Sequence, residues 1–167
     1  MTLDDVNAMD RDAFVHGFGS VVEHSPWIAA QAWQARPFAS IDALHAAFVR
    51  PLMEAPADTQ LAVMRAHPEL AGKAAIRGEM TDDSRREQGG AGLTECSPAE
   101  FARLSALNRA YNARFGFPFI LAVKGLDRAA IIRRFSERLE HDRATEFAEA
   151  LAQIGRIVRL RLEAMLC

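Results

Sequence analysis

The sequence contains 167 residues, of which 50% are hydrophobic and 25% are charged, and its formal net charge at pH 7 is −2. A chain of this length and composition folds as one globular domain with a buried core, which excludes intrinsic disorder. The slightly acidic balance gives no electrostatic reason to expect nucleic acid or an anionic membrane surface as a partner.

In the first half of the sequence, helix-start residues precede apolar side chains at helical spacing. The starts are Asp10, Ser25 with Pro26 at the first helical position, Ser40 and Asp58. Because proline disfavours helical geometry in the residue before it, the segment that starts at Asp58 must end near Pro68.

The second half carries further helix starts and one exceptional apolar segment. The starts are Thr81 or Ser84, Ser97 in a capping box with Glu100, Asp127, and about residue 143. The helix from Ser97 ends at Phe115 and Gly116, and the last helix runs to about residue 165. The run 117–123 has strand character but no second strand to pair with. We therefore predict an all-α fold, a single compact domain over residues 1–167 with about eight helices and one extended apolar segment near 117–123.

Lysine and cysteine are scarce, which narrows the possible chemistry. Lys73 and Lys124 are the only lysines, so a Schiff-base mechanism has few candidates. Cys96 and Cys167 are too few and too isolated to build a disulfide scaffold or a zinc site. No signal peptide and no run of roughly 20 apolar residues is visible. We therefore expect a cytoplasmic protein with no membrane partner.

The first polar cluster, residues 65–72, contains an imidazole directly before a proline. Since Pro68 disfavours helical geometry at His67, the helix ends there and the imidazole projects from a helix terminus. In that place a histidine either transfers protons to and from a substrate or caps the last carbonyls of its helix. The residues alone leave both alternatives open.

The second polar cluster, residues 84–92, supplies a hydroxyl, a carboxylate, an amide and three glycines. Ser84 and Glu87 have the spacing of a capping box, which is the structural alternative to a catalytic role. Gln88 lies outside that box, and a position on the exposed surface of a helix would explain a glutamine there without a functional role. The glycines indicate either a helix end or the close approach of another backbone or a ligand.

Residues 117–120 place a proline between two phenylalanines and end in isoleucine. The structural interpretation is a loop that crosses the core and fills it. The functional interpretation is that the extended backbone offers N–H and C=O groups to a ligand. The two interpretations are compatible.

Arg161 continues the apolar stripe of the last helix. The stripe consists of Phe147, Ala150, Ile154 and Ile157, three or four residues apart. An arginine that continues a buried stripe needs an anionic partner from the protein or from a substrate, unless it snorkels to the surface. Arg159 instead forms an ordinary exposed pair with Glu163.

Common catalytic and metal-binding motifs are missing from the sequence. No zinc-protease, P-loop, dinucleotide or nucleophile-elbow pattern occurs. The histidines outside the first polar cluster lack acidic or cysteine neighbours at metal-ligand spacing; they are His16, His24, His45 and His141. We therefore predict no metal site.

Four motifs in order resemble the family of 2-oxo-4-hydroxy-4-carboxy-5-ureidoimidazoline (OHCU) decarboxylases, and the match covers most of the chain. They are the run HPELAGK from His67, Ser84 with Glu87 and Gln88 leading to 91–93, Asn108 with Tyr111 leading to 114–120, and residues 159–162. Two positions depart from the family pattern. Arg114 stands where lysine is usual, and His141 stands where asparagine is expected. Both lie outside the catalytic cluster.

The resemblance implies an all-helical homodimer that decarboxylates OHCU to (S)-allantoin and CO2 in urate breakdown without a cofactor. It implies that His67 and Glu87 are the catalytic acid–base pair. The residues implied to bind or shape the small-molecule substrate site are Pro68, Ser84, Gln88, Phe119, Ile120 and Arg161.

Three other functions compete with this one. A hydrolase could use His67 and Glu87 as an acid–base pair on a cyclic amide, but only a decarboxylase releases CO2. A non-catalytic helical interaction module has no need to place histidine, glutamate, glutamine and arginine together. The acidic balance makes a helical DNA-binding regulator the weakest alternative.

Overall fold

The computed structural model describes residues 1–72 and 80–166. Within these ranges the chain forms nine α-helices, two short 3-10 helices and no strand, which confirms the predicted all-α fold. The α-helices are α1 Leu3–Ala8, α2 Arg11–Phe18, α3 Pro26–Ala32, α4 Ile41–Glu54, α5 Ala57–Ala66, α6 Asp82–Gly90, α7 Pro98–Phe115, α8 Arg128–Arg138 and α9 Arg143–Met165. The 3-10 helices are Trp33–Ala35 and Leu93–Glu95. None of the helices in the described ranges is long and apolar enough to cross a membrane.

Most helices begin where their local capping chemistry predicts. The side chains of the N-cap residues Asp10, Ser40 and Asp127 each accept a hydrogen bond from the third residue of the helix. Ser97 and Glu100 form the predicted capping box at the start of α7, with proline next to the cap. These local bonds satisfy first-turn amides, so the sequence around each start contains the whole capping interaction.

The start of α3 differs from its prediction. Ser25 precedes Pro26 as expected, but its side chain makes no capping bond to the helix. Its φ and ψ of −129° and 57° lie outside the extended geometry that turns a capping oxygen toward the first-turn amides. Its hydroxyl instead donates to the Glu23 carbonyl oxygen at 3.0 Å. The proline therefore marks the start of this helix without help from the serine side chain.

The chain divides into two compact units, one made of residues 1–66 with those from Ile154 onward, and the other of residues 67–153. A single domain over residues 1–167 stays a prediction. In the first unit the rings of Phe14 and Phe18 stack with centroids 4.7 Å apart. Phe38 and Phe48 lie against Phe14 with centroids 6.1 Å away, and this aromatic cluster forms the buried core of the unit.

The second unit, residues 67–153, has its own aromatic core around Tyr111. Four phenylalanine rings surround the tyrosine, with centroids 4.6 to 5.8 Å away; they are Phe115, Phe117, Phe119 and Phe135. The segment 117–123 belongs to this core, since every residue in it except Ala122 is buried. Its backbone forms neither helix nor strand. The interpretation of this segment as a loop that fills the core is confirmed.

Candidate active site

His67 follows the last residue of α5, and its side chain is buried. The predicted end of the helix at this residue is confirmed. We call residues 67–72 the His67 turn. Within the turn, Ala71 has a φ of +49°, a left-handed conformation that is uncommon for residues other than glycine. Other contacts must hold such a backbone in place.

Gln88 of α6 provides one of these contacts. Its Oε1 accepts from the Ala71 N–H at 2.9 Å, and its Nε2 donates to the Glu69 carbonyl oxygen at 3.2 Å. The side chain is 3% exposed, so the interpretation of Gln88 as a surface residue is wrong. Because both ends of the amide bind the backbone of the turn, Gln88 joins α6 directly to the segment that carries His67.

Two asparagines of α7 support the same turn. The Asn108 Nδ2 donates to the Leu70 carbonyl oxygen at 2.9 Å, and the Asn112 Nδ2 donates to the Glu69 Oε1 at 2.6 Å. Asn108 belongs to the family motif, but the sequence did not indicate its role, because Asn108 and its partner Leu70 are far apart in the chain. The His67 turn is therefore supported by both α6 and α7.

Replacing Gln88 with leucine is expected to lower the free energy of unfolding by about 2–4 kcal/mol, because the buried Ala71 N–H and the half-buried Glu69 carbonyl lose their partners. Urea unfolding measures the change. Gln31 lies exposed on α3 and is the matched control, since Gln31→Leu is expected to change stability by less than about 0.5 kcal/mol. Equal losses in the two variants would show that Gln88 does not hold the turn.

Thr81 is the N-cap of α6, and its side chain accepts a hydrogen bond from the Ser84 N–H. The alternative start at Ser84 is wrong, and so is the capping box of Ser84 with Glu87, because both residues lie inside the helix. Ser84, Glu87 and Gln88 are spaced three and four residues apart, which places them on one face. Ser84 and Gln88 are buried on that face, and Glu87 is half-buried. Glu87 therefore does not cap this helix.

The glycines of the second polar cluster mark the end of α6. Gly89 and Gly90 are its last residues, and a side chain at either would meet open space. Gly92 has a φ of +72°, and a Cβ there would lie 2.9 Å from Nη1 of Arg128. The same guanidinium donates to the Gly92 carbonyl oxygen at 3.1 Å. The helix-end interpretation is confirmed, and the close approach at Gly92 comes from a protein side chain.

The segment 117–123 is held by polar bonds at two backbone groups. The Ile120 carbonyl oxygen accepts from Nη1 of Arg138 at 2.6 Å, and the Ala122 N–H donates to Oε1 of Gln153 at 2.9 Å. Phe119, the other residue here with a predicted binding role, is fully buried. The guanidinium carbon of Arg138 lies 4.4 Å from the centroid of its ring. One arginine therefore contacts both Phe119 and Ile120.

A buried ionic cluster next to this segment was not predicted from the sequence. We call it the Glu146 cluster, and it consists of Glu146, Arg138, Tyr111 and His141. The carboxylate of Glu146 is 0% exposed. It accepts hydrogen bonds from Nε of Arg138 at 2.6 Å and from the Tyr111 hydroxyl, and it lies 3.0 Å from Nδ1 of His141. The sequence did contain a signal for the burial of Glu146. This residue lies four positions before Ala150 and extends the buried stripe of α9 at one end, as Arg161 does at the other.

Burial raises the pKa of Tyr111 above its usual range, and the hydrogen bond to Glu146 raises it further. The unfolded chain loses this proton at about pH 10, while the folded chain keeps it. The stabilisation is therefore complete below about pH 10, and above it stability falls by up to about 1.4 kcal/mol per pH unit.

We expect tyrosinate absorbance to appear only as the helical circular dichroism is lost. The signal has one source, because Tyr111 is the only tyrosine. Comparison with Tyr111→Phe isolates this contribution to alkaline unfolding. Tyrosinate that formed near pH 10 in a fully helical protein would contradict the prediction.

Arg161 is buried and has the anionic partner that its position predicted. Its Nη1 lies 3.4 Å from Oε2 of Glu23, and it also donates to the Val21 carbonyl oxygen at 3.2 Å. Glu23 is itself 0% exposed, so the snorkelling alternative is wrong. Arg159 forms the predicted pair, with its Nε 2.6 Å from Oε1 of Glu163, but both residues are half-buried rather than exposed.

The predicted site residues are divided between the two units. Those in the unit 67–153 are His67, Pro68, Ser84, Glu87, Gln88, Phe119 and Ile120, whereas Arg161 belongs to the other unit. The bonds of Gln88 bring the His67 turn and α6 together. A turn with a buried imidazole, joined to a helix that carries a carboxylate and a hydroxyl, has the groups for proton transfer.

The family model described as OHCU decarboxylase matches residues 7–163. The 2-oxo-4-hydroxy-4-carboxy-5-ureidoimidazoline decarboxylase of Haloferax volcanii is 43% identical over 162 residues, or 97% of this chain and 94% of that protein. The protein of the same name from Halalkalicoccus jeotgali is 41% identical over 163 residues, or 98% and 90%. A crystal structure of (S)-allantoin synthase matches with a TM-score of 0.76 and 26% identity. That match covers 100% of this chain, which spans about half (54%) of the solved one. This chain belongs to the OHCU decarboxylase family.

Proposed function

We propose that the protein decarboxylates OHCU to (S)-allantoin and CO2, with His67 and Glu87 as the acid–base pair. The observation that carries the proposal is the hydrogen bonding of Gln88 to Glu69 and Ala71. These bonds join the turn that carries His67 to the helix that carries Glu87. Family membership supplies the substrate, since the relatives are named for this compound.

The chemistry needs a place for the electron pair that CO2 leaves behind. The substrate supplies it, because the pair can pass into the conjugated C=N of the ring, whose nitrogen then takes a proton. The resulting enol becomes a carbonyl by losing its hydroxyl proton, while the neighbouring ring carbon gains one. The reaction therefore balances with proton donors and acceptors alone, which an imidazole and a carboxylate provide.

We assign the first step to His67 and the proton transfers to Glu87. His67 engages the hydroxyl and carboxylate at the reacting carbon and promotes the loss of CO2. Glu87 handles the protons of the ring or ureido nitrogens, or delivers the proton that sets the configuration of the product. The burial of His67 supports this assignment, because electrostatic effects on a reacting group are stronger away from water.

The remaining predicted residues are proposed to bind or shape the substrate site. Ser84 and the backbone of Phe119 and Ile120 would offer hydrogen bonds, and Arg161 would anchor an anionic or carbonyl group. Gln88 binds substrate through its remaining capacity to accept, since its amide already contacts the His67 turn. Pro68 shapes that turn.

The test generates OHCU from urate with uricase and hydroxyisourate hydrolase and then adds the protein. We expect faster ultraviolet decay, stoichiometric CO2 and dextrorotatory (S)-allantoin. Decay at the uncatalysed rate with racemic product would refute the proposal. A cyclic-amide hydrolase would consume the compound without releasing CO2, so the gas measurement separates the two enzyme classes.

We also propose that the protein acts as a homodimer in the cytoplasm. The resemblance to the family supports the first statement, and the two isolated cysteines, which indicate a reducing compartment, support the second. Analytical ultracentrifugation at several protein concentrations tests the first, with a single species of twice the monomer mass as the expected result. Fractionation of the source cells tests the second.

A further inference from the structure

We propose that Arg138 is a positioning residue for the decarboxylation, acting through the backbone of Phe119 and Ile120. This inference rests on the proposed function, in which that backbone binds substrate. Arg138 is the last residue of α8, and its side chain is 7% exposed. It continues the buried stripe formed by Ile131 and Phe135, whereas the arginines at 133 and 134 of the same helix are exposed.

The guanidinium joins the binding segment to the Glu146 cluster. Its Nη1 donates to the Ile120 carbonyl oxygen at 2.6 Å, while its Nε donates to Oε1 of Glu146 at the same distance. The group also lies over the ring of Phe119. A planar guanidinium with donors on separate edges can make these contacts at once, whereas a single ammonium group cannot reproduce them.

The bond to Ile120 fixes the orientation of a peptide plane. The carbonyl and N–H of a trans peptide point in opposite directions, so the Leu121 N–H is directed away from Arg138. A held carbonyl also restricts rotation of the Ile120 backbone, which carries the Ile120 N–H. Gln153 holds the next N–H along the chain, that of Ala122. The segment is therefore fixed on both sides of Leu121, as a backbone must be if it is to present hydrogen-bonding groups at defined positions.

Stability alone does not account for this arrangement. A buried ion pair contributes little net stability, because apolar residues of similar volume often replace it without loss. Apolar side chains cannot, however, donate to the Ile120 carbonyl oxygen. The hydrogen bond to the Ile120 carbonyl therefore distinguishes Arg138 from a residue that only forms a buried ion pair, because Ile120 lies in the segment with the proposed binding role.

The experiment uses the double variant Arg138→Met with Glu146→Gln, which removes both charges and leaves an amide to accept from Tyr111. Circular dichroism and urea unfolding establish that it folds. In the OHCU assay we expect KM to rise about 10-fold or more with a smaller change in kcat, since the affected groups bind substrate. Arg138→Lys is a second variant that keeps a positive charge opposite Glu146. It is also expected to raise KM, because the ammonium group cannot reproduce the contacts of the guanidinium.

Tyr111→Phe is the matched control. It removes a different hydrogen bond of Glu146 and leaves the contact between Arg138 and Ile120 in place. We expect lower stability with KM within about twofold of the wild type. A folded double variant with unchanged KM, or an equal rise in KM in Tyr111→Phe, would overturn the proposal. Wild-type protein that fails to accelerate OHCU decay would instead overturn the proposed function, and this inference with it.

Discussion

Replacing His67 with glutamine is expected to lower kcat for OHCU decay by about 10²–10⁴-fold, the range for loss of a general acid–base group. Glutamine has nearly the volume of histidine and can hydrogen bond, but it cannot exchange a proton at neutral pH. The effect should therefore fall on the chemical step, with a smaller change in KM. Stopped-flow absorbance with enzymatically generated OHCU measures both constants.

His16→Gln is the matched control, because His16 lies exposed on α2. It should leave kcat and KM within about twofold of the wild type. Urea unfolding of both variants separates catalysis from folding, since His67 is buried and its replacement also changes packing. A folded His67→Gln protein with near-normal turnover would refute the role of His67 and, with it, the mechanism proposed above.

The fold could be predicted well because its helix signals are local. The capping box of Ser97 with Glu100 and the cap at Asp127 involve residues three apart, so the sequence contains the whole interaction. The error at α6 has the same origin. Thr81 and Ser84 both satisfy the local rule for a helix start, and only the folded backbone distinguishes the cap from a residue within the first turn.

The site could be predicted less completely, because its supports are distant in the chain. The fact that Arg161 needs an anionic partner followed from its place on a buried stripe, but no periodicity identifies Glu23 as that partner. The bond from Asn108 to Leu70 likewise joins residues 38 positions apart. Burial follows from patterns within one helix, whereas the pairing of buried polar groups depends on tertiary contacts.

The Glu146 cluster could not be recognised from catalytic motifs. His67 and Glu87 were identified because they lie in motifs of the family, whereas Glu146 follows a helix start and resembles an ordinary first-turn carboxylate. Its register with Ala150 on the buried face of α9 was the available signal. A carboxylate on a buried stripe requires donors nearby, for the same reason that Arg161 requires an anion.

Replacing Glu146 with glutamine alone is expected to lower the free energy of unfolding by about 3–5 kcal/mol, the range for leaving one member of a buried ion pair uncompensated. Glutamine keeps the shape of the side chain, so the loss reports the charge rather than a cavity. Arg138 would then be a buried cation whose described partners are all neutral, namely the amide oxygen of the new glutamine, the Ile120 carbonyl and the ring of Phe119. Urea unfolding followed by circular dichroism measures the difference.

A double-mutant cycle separates the charge from the individual side chains. Glu140 lies exposed just after α8, and Glu140→Gln should change stability by less than about 0.5 kcal/mol. Adding Arg138→Met to Glu146→Gln should recover much of the loss, because no buried charge then lacks a counter-ion. Additive losses in the double variant would show that Glu146 and Arg138 contribute independently. Recovery of stability together with a raised KM would show that the ion pair is dispensable for folding, and that the bond from Arg138 to Ile120 is required for substrate binding.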